Sequence, residues 1–243
     1  MKPQRIRHKP ARARKVENLY GQQLRMIAGY VDSMVKGFDV SNPTVYPSIV
    51  SALRHYAETL EVWAKNAAGR ILTDIALRDE KTWMIYAQDI SAGLRQEIRQ
   101  ADTGSVMQQL MEQQVTLIKS LPLEAAQRVH DLSTRAVIEG GRASEIAGLI
   151  LVTGDVTLSR ANTIARTEVS RATTAFTQAR ALAIGSTGYI WRTTKDGDVR
   201  HSHADMEGKF VRWDDPPTLD GMTGHAGCLP NCRCYPEPVI PEN

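Results

Sequence analysis

The chain has 243 residues, of which 42% are hydrophobic and 23% charged, and its formal net charge is +3. This composition is ordinary for a soluble globular protein, and the length allows one large domain or two small ones. No apolar run approaches the roughly 18–20 residues that cross a bilayer, and the basic N-terminus lacks the apolar segment of a secretory signal. We therefore expect no membrane span and residence in a reducing cytosol.

Basic residues dominate the first 16 positions, where no acidic residue occurs. Pro3 and Pro10 oppose a regular helix across this segment. Two interpretations remain open: a flexible arm that touches nucleic acid or an acidic protein surface, and a solvated tail that only aids solubility. The predicted basic arm covers residues 1–16, and its cationic side chains are those of Lys2, Arg5, Arg7, Lys9, Arg12, Arg14 and Lys15.

Helical periodicity dominates the chain up to about residue 188, and no strong strand signal interrupts it. We assign residues 17–141 to a helical N-terminal region and residues 142–188 to a second helical region. A break is expected near Gly69, a turn at Arg78–Lys81, and a helix end before Pro122. The predicted helices cover residues 17–37, 46–77, 82–99, 105–121, 123–139, 144–152 and 156–184.

The sequence pattern changes after Gly188. Residues 189–193 and 209–213 alternate like strands, and Lys195–Asp198 has the composition of a hairpin turn. The sequence therefore predicts an α+β fold, in which long helices precede a small, irregular β-rich lobe at residues 189–243. A lobe of under about 60 residues with few aliphatic side chains needs a cross-link to hold its shape.

All three cysteines and three of the six histidines lie in this lobe. An odd number of cysteines in a cytosolic protein argues against a complete set of disulfides. Zinc prefers thiolate and imidazole ligands, usually in a tetrahedral set of four when its role is structural. The pattern predicts a structural zinc site formed by His203, Cys228, Cys232 and Cys234.

The fourth ligand of this zinc site stays open among three histidines. His203 would tie the start of the lobe to its end, while His201 and His225 are the alternatives, and His225-x-x-Cys228 also has a chelating interval. The Cys232-x-Cys234 interval is tighter than usual for zinc. Two further interpretations are reduced, packed thiols and, as a minor route inside a cell, a disulfide.

A catalytic interpretation rests on a partial similarity to zinc deaminases. His203-Ala-Asp205 followed by Pro230-Asn-Cys232-Arg-Cys234 resembles their H-x-E…P-C-x-x-C pattern. Asp205 replaces the general acid/base glutamate, and the cysteine interval is one residue short, so both departures damage the mechanism. The alternative function is therefore a zinc-dependent enzyme, deaminase-like or a hydrolase, that acts on nucleic acid or protein.

A set of short motifs runs in a fixed order through the last two-fifths of the chain. These motifs are Ala165-Arg-Thr-Glu168, Trp191-Arg-Thr193, Asp198-Val-Arg200-x-x-His203, Glu207-Gly208 and Asn231-Cys-Arg-Cys234. Over residues 142–238 the set resembles the phage Mu F-like head morphogenesis proteins. The family's usual Asp-Gly step after the histidine is Glu207-Gly208 in this chain.

The resemblance implies a minor capsid protein of a tailed phage or prophage. The family label does not establish an enzymatic activity, and we expect none. The implied partners are the portal protein and the major capsid protein, and the basic arm adds double-stranded DNA as an expected partner. Such proteins assist procapsid assembly, DNA packaging or DNA ejection. The implied location is the virion, at the head interior or portal vertex, after assembly in the host cytoplasm.

The resemblance also bears on individual residues. His203, Cys232 and Cys234 fall on recurrent positions of the family, whereas Cys228 lies where the family varies. The motif in the long helix further implies that Arg166 and Glu168 contribute to the junction between that helix and the lobe.

Overall fold

The computed structural model describes residues 14–86, 92–139 and 143–241. Long helices precede a small lobe that contains the strands, which confirms the predicted α+β class. Across the described ranges, no helix combines the length and the apolar character that spanning a membrane requires. The helices are α1 (Arg14–Lys36), α2 (Tyr46–Thr59), α3 (Glu61–Tyr86), α4 (Ala92–Gln100), α5 (Thr103–Glu139), α6 (Ala143–Leu151), α7 (Thr153–Ala183) and α8 (His201–Ala204), and the strands are β1 (Gly188–Arg192), β2 (Phe210–Arg212), β3 (Thr218–Leu219), β4 (Met222–Thr223) and β5 (Tyr235–Pro238).

Helix α3 continues through two positions where the sequence predicts an interruption. Gly69 lies inside the helix, and the break falls instead at Leu60, between α2 and α3. Arg78–Lys81 is helical as well, so the predicted turn is wrong. This charged segment remains helical because Asp79 points into the protein, where Arg180 of α7 pairs with it at 2.8 Å.

Helix α5 runs for 37 residues and contains Pro122 in its interior. The predicted helix end before Pro122 is therefore wrong. Proline removes one backbone hydrogen bond and costs about 3 kcal/mol in a helix interior. Buried residues lie on both sides of it, including Ile118, Leu121, Ala125 and Val129. Their packing offsets the cost and keeps the helix continuous.

The chain divides into two compact units. Unit 1 comprises Met1–Glu17, Arg70–Leu110 and Arg166–Asn243, and unit 2 comprises Asn18–Gly69 and Met111–Ala165. Both units combine segments that are distant in sequence, whereas the predicted domains follow the order of the chain.

Each unit has its own buried core. In unit 1, Trp83 and Ile98 pack with the end of α7 and with the aromatic residues of the lobe, among them Tyr189, Trp191 and Trp213. In unit 2, the core is aliphatic and is formed by α1, α2, α5 and α6, with Val31, Ile49, Leu53, Val129 and Ile150 among its members.

The lobe is organised around β1, which is the central strand of a three-stranded antiparallel sheet in the order β2-β1-β5. One partner of β1 is β2, and the predicted turn at Lys195–Asp198 lies in the connection between these two strands. Because α8 follows the turn in that connection, the two strands are not joined by a tight hairpin. A tight hairpin occurs instead between β3 and β4, where Asp220 and Gly221 both have positive φ angles. Asp-Gly is a favoured pair for such a turn.

The sheet edge at β5 carries two prolines. Pro236 and Pro238 pair with Trp191 and Tyr189 of β1, respectively. Proline has no backbone N–H, so these positions cannot donate to another strand at the open edge. The edge is therefore protected against pairing with a further chain.

Candidate metal centre

Three of the four predicted ligands meet inside the lobe. His203, Cys232 and Cys234 are all buried, and their ligand atoms lie within 4.8 Å of one another. Each residue comes from a separate local structure: His203 from α8, Cys232 from the turn that follows Leu229, and Cys234 from the residue before β5. The group therefore links the start of the lobe to its end.

The geometry of this group fits a zinc ion. The Nδ1 atom of His203 lies 3.4 Å from the Cys232 sulfur and 3.7 Å from the Cys234 sulfur. Tetrahedral zinc, with bonds of about 2.3 Å to sulfur and about 2.0 Å to nitrogen, places such ligand atoms roughly 3.5 Å apart. The three residues would hold the ion through one imidazole nitrogen and two thiolates.

Electrostatics favour a thiolate in the group. The hydrogen bond between the two thiols lowers the pKa of Cys232 and raises the pKa of Cys234. These shifts favour ionisation of Cys232, while Cys234 keeps its proton and donates the hydrogen bond. The thiolate is the form of cysteine that binds metals. Cys232 is therefore the thiol of the pair that is better prepared to bind a cation.

The aromatic core of the lobe holds His203 in place. Trp191 of β1 packs edge-on against the imidazole, with ring centroids 5.6 Å apart. His203 is only 2% exposed, and its Nε2 atom finds no hydrogen-bond partner among the described residues. Its Nδ1 atom faces the two sulfurs, which leaves the cluster as the polar contact of this ring.

Cys228 does not join the group, in contrast to the predicted set of four ligands. Its backbone is tied to α7, because Arg171 donates to the Cys228 carbonyl oxygen at 3.1 Å. Burial raises the pKa of the Cys228 thiol to about 11. The resemblance gave one signal that sets Cys228 apart from the other two cysteines, because Cys228 falls at a position where the family varies. The predicted ligand set nevertheless included it.

The two alternative histidines also lie elsewhere. His225 packs against the rings of Tyr189 and Trp213, and its Nδ1 atom is 3.3 Å from the Tyr189 hydroxyl. Burial lowers the pKa of His225, which disfavours its protonated form. His201 is exposed at the start of α8. Asp205, which stands at the position of the deaminase glutamate, is exposed and outside the three-residue group.

Helix α7 anchors the loop that carries the cysteines. The Thr167 hydroxyl accepts a hydrogen bond from the Asn231 N–H at 3.0 Å, and Asn231 has a positive φ angle. The Thr174 hydroxyl donates to the Ala226 carbonyl oxygen at 2.8 Å. Thr174 was not identified from the sequence, because a threonine in a long helix carries no signal of a distant partner.

The two charged residues of the helix motif have different roles. Glu168 is buried and pairs with Arg171 at 3.1 Å, and Arg171 in turn holds the loop at Cys228. Arg166 instead pairs with Glu17 of α1 at 3.5 Å. Glu168 therefore supports the junction with the lobe, whereas the described contact of Arg166 is with the N-terminal helix.

The two segments that carry the motifs at Trp191 and Glu207 are hydrogen-bonded to each other beside the three-residue group. Glu207 accepts hydrogen bonds from both the N–H and the hydroxyl of Thr193, at 2.6 and 2.9 Å. Burial opposes ionisation of Glu207, but these bonds and nearby cations outweigh it and lower its pKa. Gly208, with φ +80°, donates its N–H to the Trp191 carbonyl. The segment after α8 is thereby fixed to β1.

The basic arm lies largely outside the described residues. This applies to Lys2, Arg5, Arg7, Lys9 and Arg12. Arg14 and Lys15 are exposed at the start of α1, and Val16 is buried, so the last three residues of the predicted arm belong to a helix.

The region that contains the candidate metal centre is similar to a known protein family. Residues 127–236 match the family described as Phage Mu protein F like protein, which confirms the predicted resemblance. The chain is also 34% identical over 129 residues to an uncharacterized protein of Haemophilus influenzae, covering 53% of this chain and 28% of that protein. The chain thus matches less than a third of that relative's length. No solved structure matches the chain.

Proposed function

We propose that the protein is a minor capsid protein of a tailed phage or prophage that takes part in head morphogenesis. The observation that carries this proposal is the family match over residues 127–236, which includes α6, α7 and nearly all of the lobe. The family is typically structural rather than enzymatic, and the proposal assigns no reaction to the chain. Its partners would be the portal protein and the major capsid protein.

The lobe would be held together by one structural zinc ion. His203, Cys232 and Cys234 would bind it, and the ion would supply a cross-link between α8 and the C-terminal segment. Small lobes without a large core commonly depend on such metals for their fold. The fit of the nitrogen–sulfur distances to zinc supports the choice of metal.

The alternative, a zinc-dependent enzyme, has weaker support. Zinc hydrolases and deaminases place a general acid/base carboxylate beside the metal-bound water. Within the described ranges, the group that can hold a metal contains one histidine and two cysteines and no carboxylate. Of the carboxylates near the group, Asp205 is exposed and outside it, and Glu207 is engaged by Thr193 and Arg192. These contacts of Glu207 favour a structural role for the metal.

The assembly role would be exercised in the host cytoplasm, and the finished protein would reside in the virion at the head interior or portal vertex. The basic arm would contact the packaged DNA. The protein would assist in procapsid assembly, DNA packaging or DNA ejection. The Mu F-like match supports this location, and the cationic composition of residues 1–12 supports the contact with DNA.

Particle fractionation tests this proposal. Particle production would be induced in the host that carries the gene. Procapsids and DNA-filled heads would then be separated by density and analysed by quantitative mass spectrometry. We expect the protein in both fractions at a few copies per particle, together with portal protein. A host deleted for the gene should yield fewer filled heads. Absence of the protein from every particle fraction, with normal heads in the deletion, would overturn the proposal.

A further inference from the structure

Trp191 is a buried aromatic residue that lies beside two members of the metal group. Its ring packs edge-on against the His203 imidazole, with ring centroids 5.6 Å apart. The same side chain belongs to one buried core cluster with Cys234. Trp191 therefore contacts the group at the ligand from α8 and lies close to the ligand that precedes β5.

The register of the sheet places the Trp191 ring next to Cys234. Trp191 of β1 lies directly opposite Pro236 of β5, so the two side chains share one face of the sheet. Cys234 directly precedes β5, and side chains two residues apart on a strand point to the same face. Cys234 is therefore the diagonal neighbour of Trp191, and diagonal neighbours are within reach of an aromatic side chain.

The indole N–H of Trp191 lacks the partner that a buried tryptophan usually has. The residue is fully buried, and its Nε1 atom has no nitrogen or oxygen acceptor within the described part of the chain. Trp213 of the same core provides the contrast, because its Nε1 atom donates to the Ser186 hydroxyl at 3.2 Å. A buried donor without an acceptor destabilises a fold, so the Trp191 N–H requires an acceptor of another kind.

The Cys234 sulfur is the acceptor in reach of this N–H. The hydrogen bond with Cys232 and burial both raise the pKa of Cys234, whereas the hydrogen bond from the Trp191 side chain acts to lower it. A donor has this effect because it stabilises the thiolate more than the thiol. The thiolate is also the form that binds a metal. The contact between indole and sulfur therefore suits the metal-bound state of Cys234.

We propose that the Trp191 indole N–H donates a hydrogen bond to the Cys234 thiolate in the metal-bound lobe, and that Trp191 is a positioning residue of the metal centre. The bond offsets part of the negative charge on the sulfur, while the edge-on contact orients the His203 ring. Residues that hydrogen-bond to metal ligands commonly contribute about 10- to 100-fold to metal affinity. The inference rests on the proposed zinc site and does not depend on the role in head assembly.

Metal titration of the full chain tests this role. Trp191→Phe keeps an aromatic ring beside His203 but removes the N–H, and Trp191→benzothienylalanine removes the N–H while it keeps the size of the indole. We expect the zinc affinity of both variants, measured by competition with a chelator, to fall by about 10-fold or more. Trp213→Phe also removes a buried indole N–H, whose partner is Ser186, and is the matched control that should keep the wild-type affinity.

The spectrum of the cobalt-loaded protein separates a hydrogen bond to sulfur from a general effect on packing. An N–H donor stabilises the sulfur lone pairs, so its removal should shift the sulfur-to-cobalt charge-transfer band to longer wavelength. We expect this shift in both Trp191 variants and not in Trp213→Phe. An unshifted band in the benzothienylalanine variant would overturn the role of Trp191 and leave the zinc site intact. A wild-type chain that binds neither metal would overturn the zinc site and this inference together.

Discussion

At the scale of the residue, the metal centre depends on which sulfur atoms can approach His203. Cys232 and Cys234 lie beside its Nδ1 atom, while Cys228 is held against α7 through its carbonyl oxygen. The candidate site therefore offers two sulfur atoms to a metal, rather than the three that the spacing of the cysteines suggests.

Metal analysis of purified protein tests this ligand set. We expect about one zinc per chain, with loss of zinc in Cys232→Ser and in Cys234→Ser, since each change removes a thiolate ligand. Cys228→Ser is the matched control and should retain the metal. X-ray absorption should show two sulfur neighbours per zinc. A metal-free but fully folded wild type, or zinc loss in Cys228→Ser, would contradict the assignment.

Gly227 is the residue where the loop comes closest to α7. Its φ angle is +87°, and an added Cβ would lie 2.8 Å from the Thr174 hydroxyl and 3.0 Å from the Cys234 carbonyl oxygen. Gly227→Ala should therefore destabilise the protein by about 1–3 kcal/mol, through a strained backbone and a steric clash.

Urea unfolding followed by tryptophan fluorescence measures this effect. Gly197→Ala is the matched control, because nothing lies within 4 Å of its added Cβ and its φ angle is not positive. It should change stability by less than about 0.5 kcal/mol. Equal stability of the two variants would show that the approach of the loop to α7 is looser than the structure indicates.

At the scale of the element, α3 and α7 are joined by one buried ion pair in unit 1. Asp79 accepts from Arg180 at 2.8 Å and from Thr177 at 2.6 Å, and Arg180 also donates to the Ile98 carbonyl oxygen. Burial raises the pKa of Asp79 to about 6, although Thr177 and Arg180 both act to lower it. The pair thus specifies how these two helices align, at a considerable desolvation cost.

The stability of this contact should depend on pH. The folded pKa of Asp79 lies above the value of about 4 for an unfolded chain, so folding favours the protonated form. Its contribution to stability is fully present below about pH 4 and is lost as the pH rises through about 6. Urea unfolding between pH 4 and 8 should show this decline in the wild type, and Asp79→Asn should flatten it. An identical pH profile in Asp79→Asn would contradict the shift.

Removal of the cation should be more damaging. Arg180→Met leaves the Asp79 carboxylate buried without a counter-charge, which costs about 3–5 kcal/mol at pH 8 and less at pH 5, where Asp79 takes up a proton. Arg160→Met on the same helix breaks the exposed pair with Glu124 and should cost less than about 1 kcal/mol. Urea unfolding at both pH values measures the difference, and similar costs for the two variants would argue against a buried role for Arg180.

At the scale of the whole molecule, the net charge of +3 conceals a strong local excess of cations in the first residues. If this arm contacts DNA, replacement of Lys2, Arg5, Arg7, Lys9 and Arg12 by glutamine should weaken binding. Each phosphate contact contributes about 0.9 to the slope of log K against log salt concentration, so the loss of five contacts should reduce the magnitude of the slope by about 4.5.

Anisotropy with a labelled DNA duplex at several salt concentrations measures this slope. Arg54→Gln/Lys81→Gln removes exposed cations outside the arm and is the control that should leave the slope unchanged. An unchanged slope in the arm variant would mean that residues 1–12 do not contact DNA and only add to solubility.

The sequence by itself predicted the class of fold, the resemblance to the Mu F-like family over the matched region, and the three residues that lie together in the candidate metal group. These features depend on local periodicity, on composition and on motifs, all of which can be recognised within short segments of the sequence. It also identified Thr167 and Glu168 as part of the family pattern, and both prove to support the loop beside the metal.

Only the tertiary structure decided which of the competing local signals prevailed. Pro122 and Arg78–Lys81 remain helical because packing and the pair with Arg180 outweigh the local preference to break. Cys228 lies outside the three-residue group, and Arg171 of α7 donates to its carbonyl oxygen. Contacts between residues more than fifty positions apart leave no trace in local spacing, since they depend on where whole helices meet. The sequence therefore defines the elements and the chemistry available to them, and the packing of those elements selects the residues that come together.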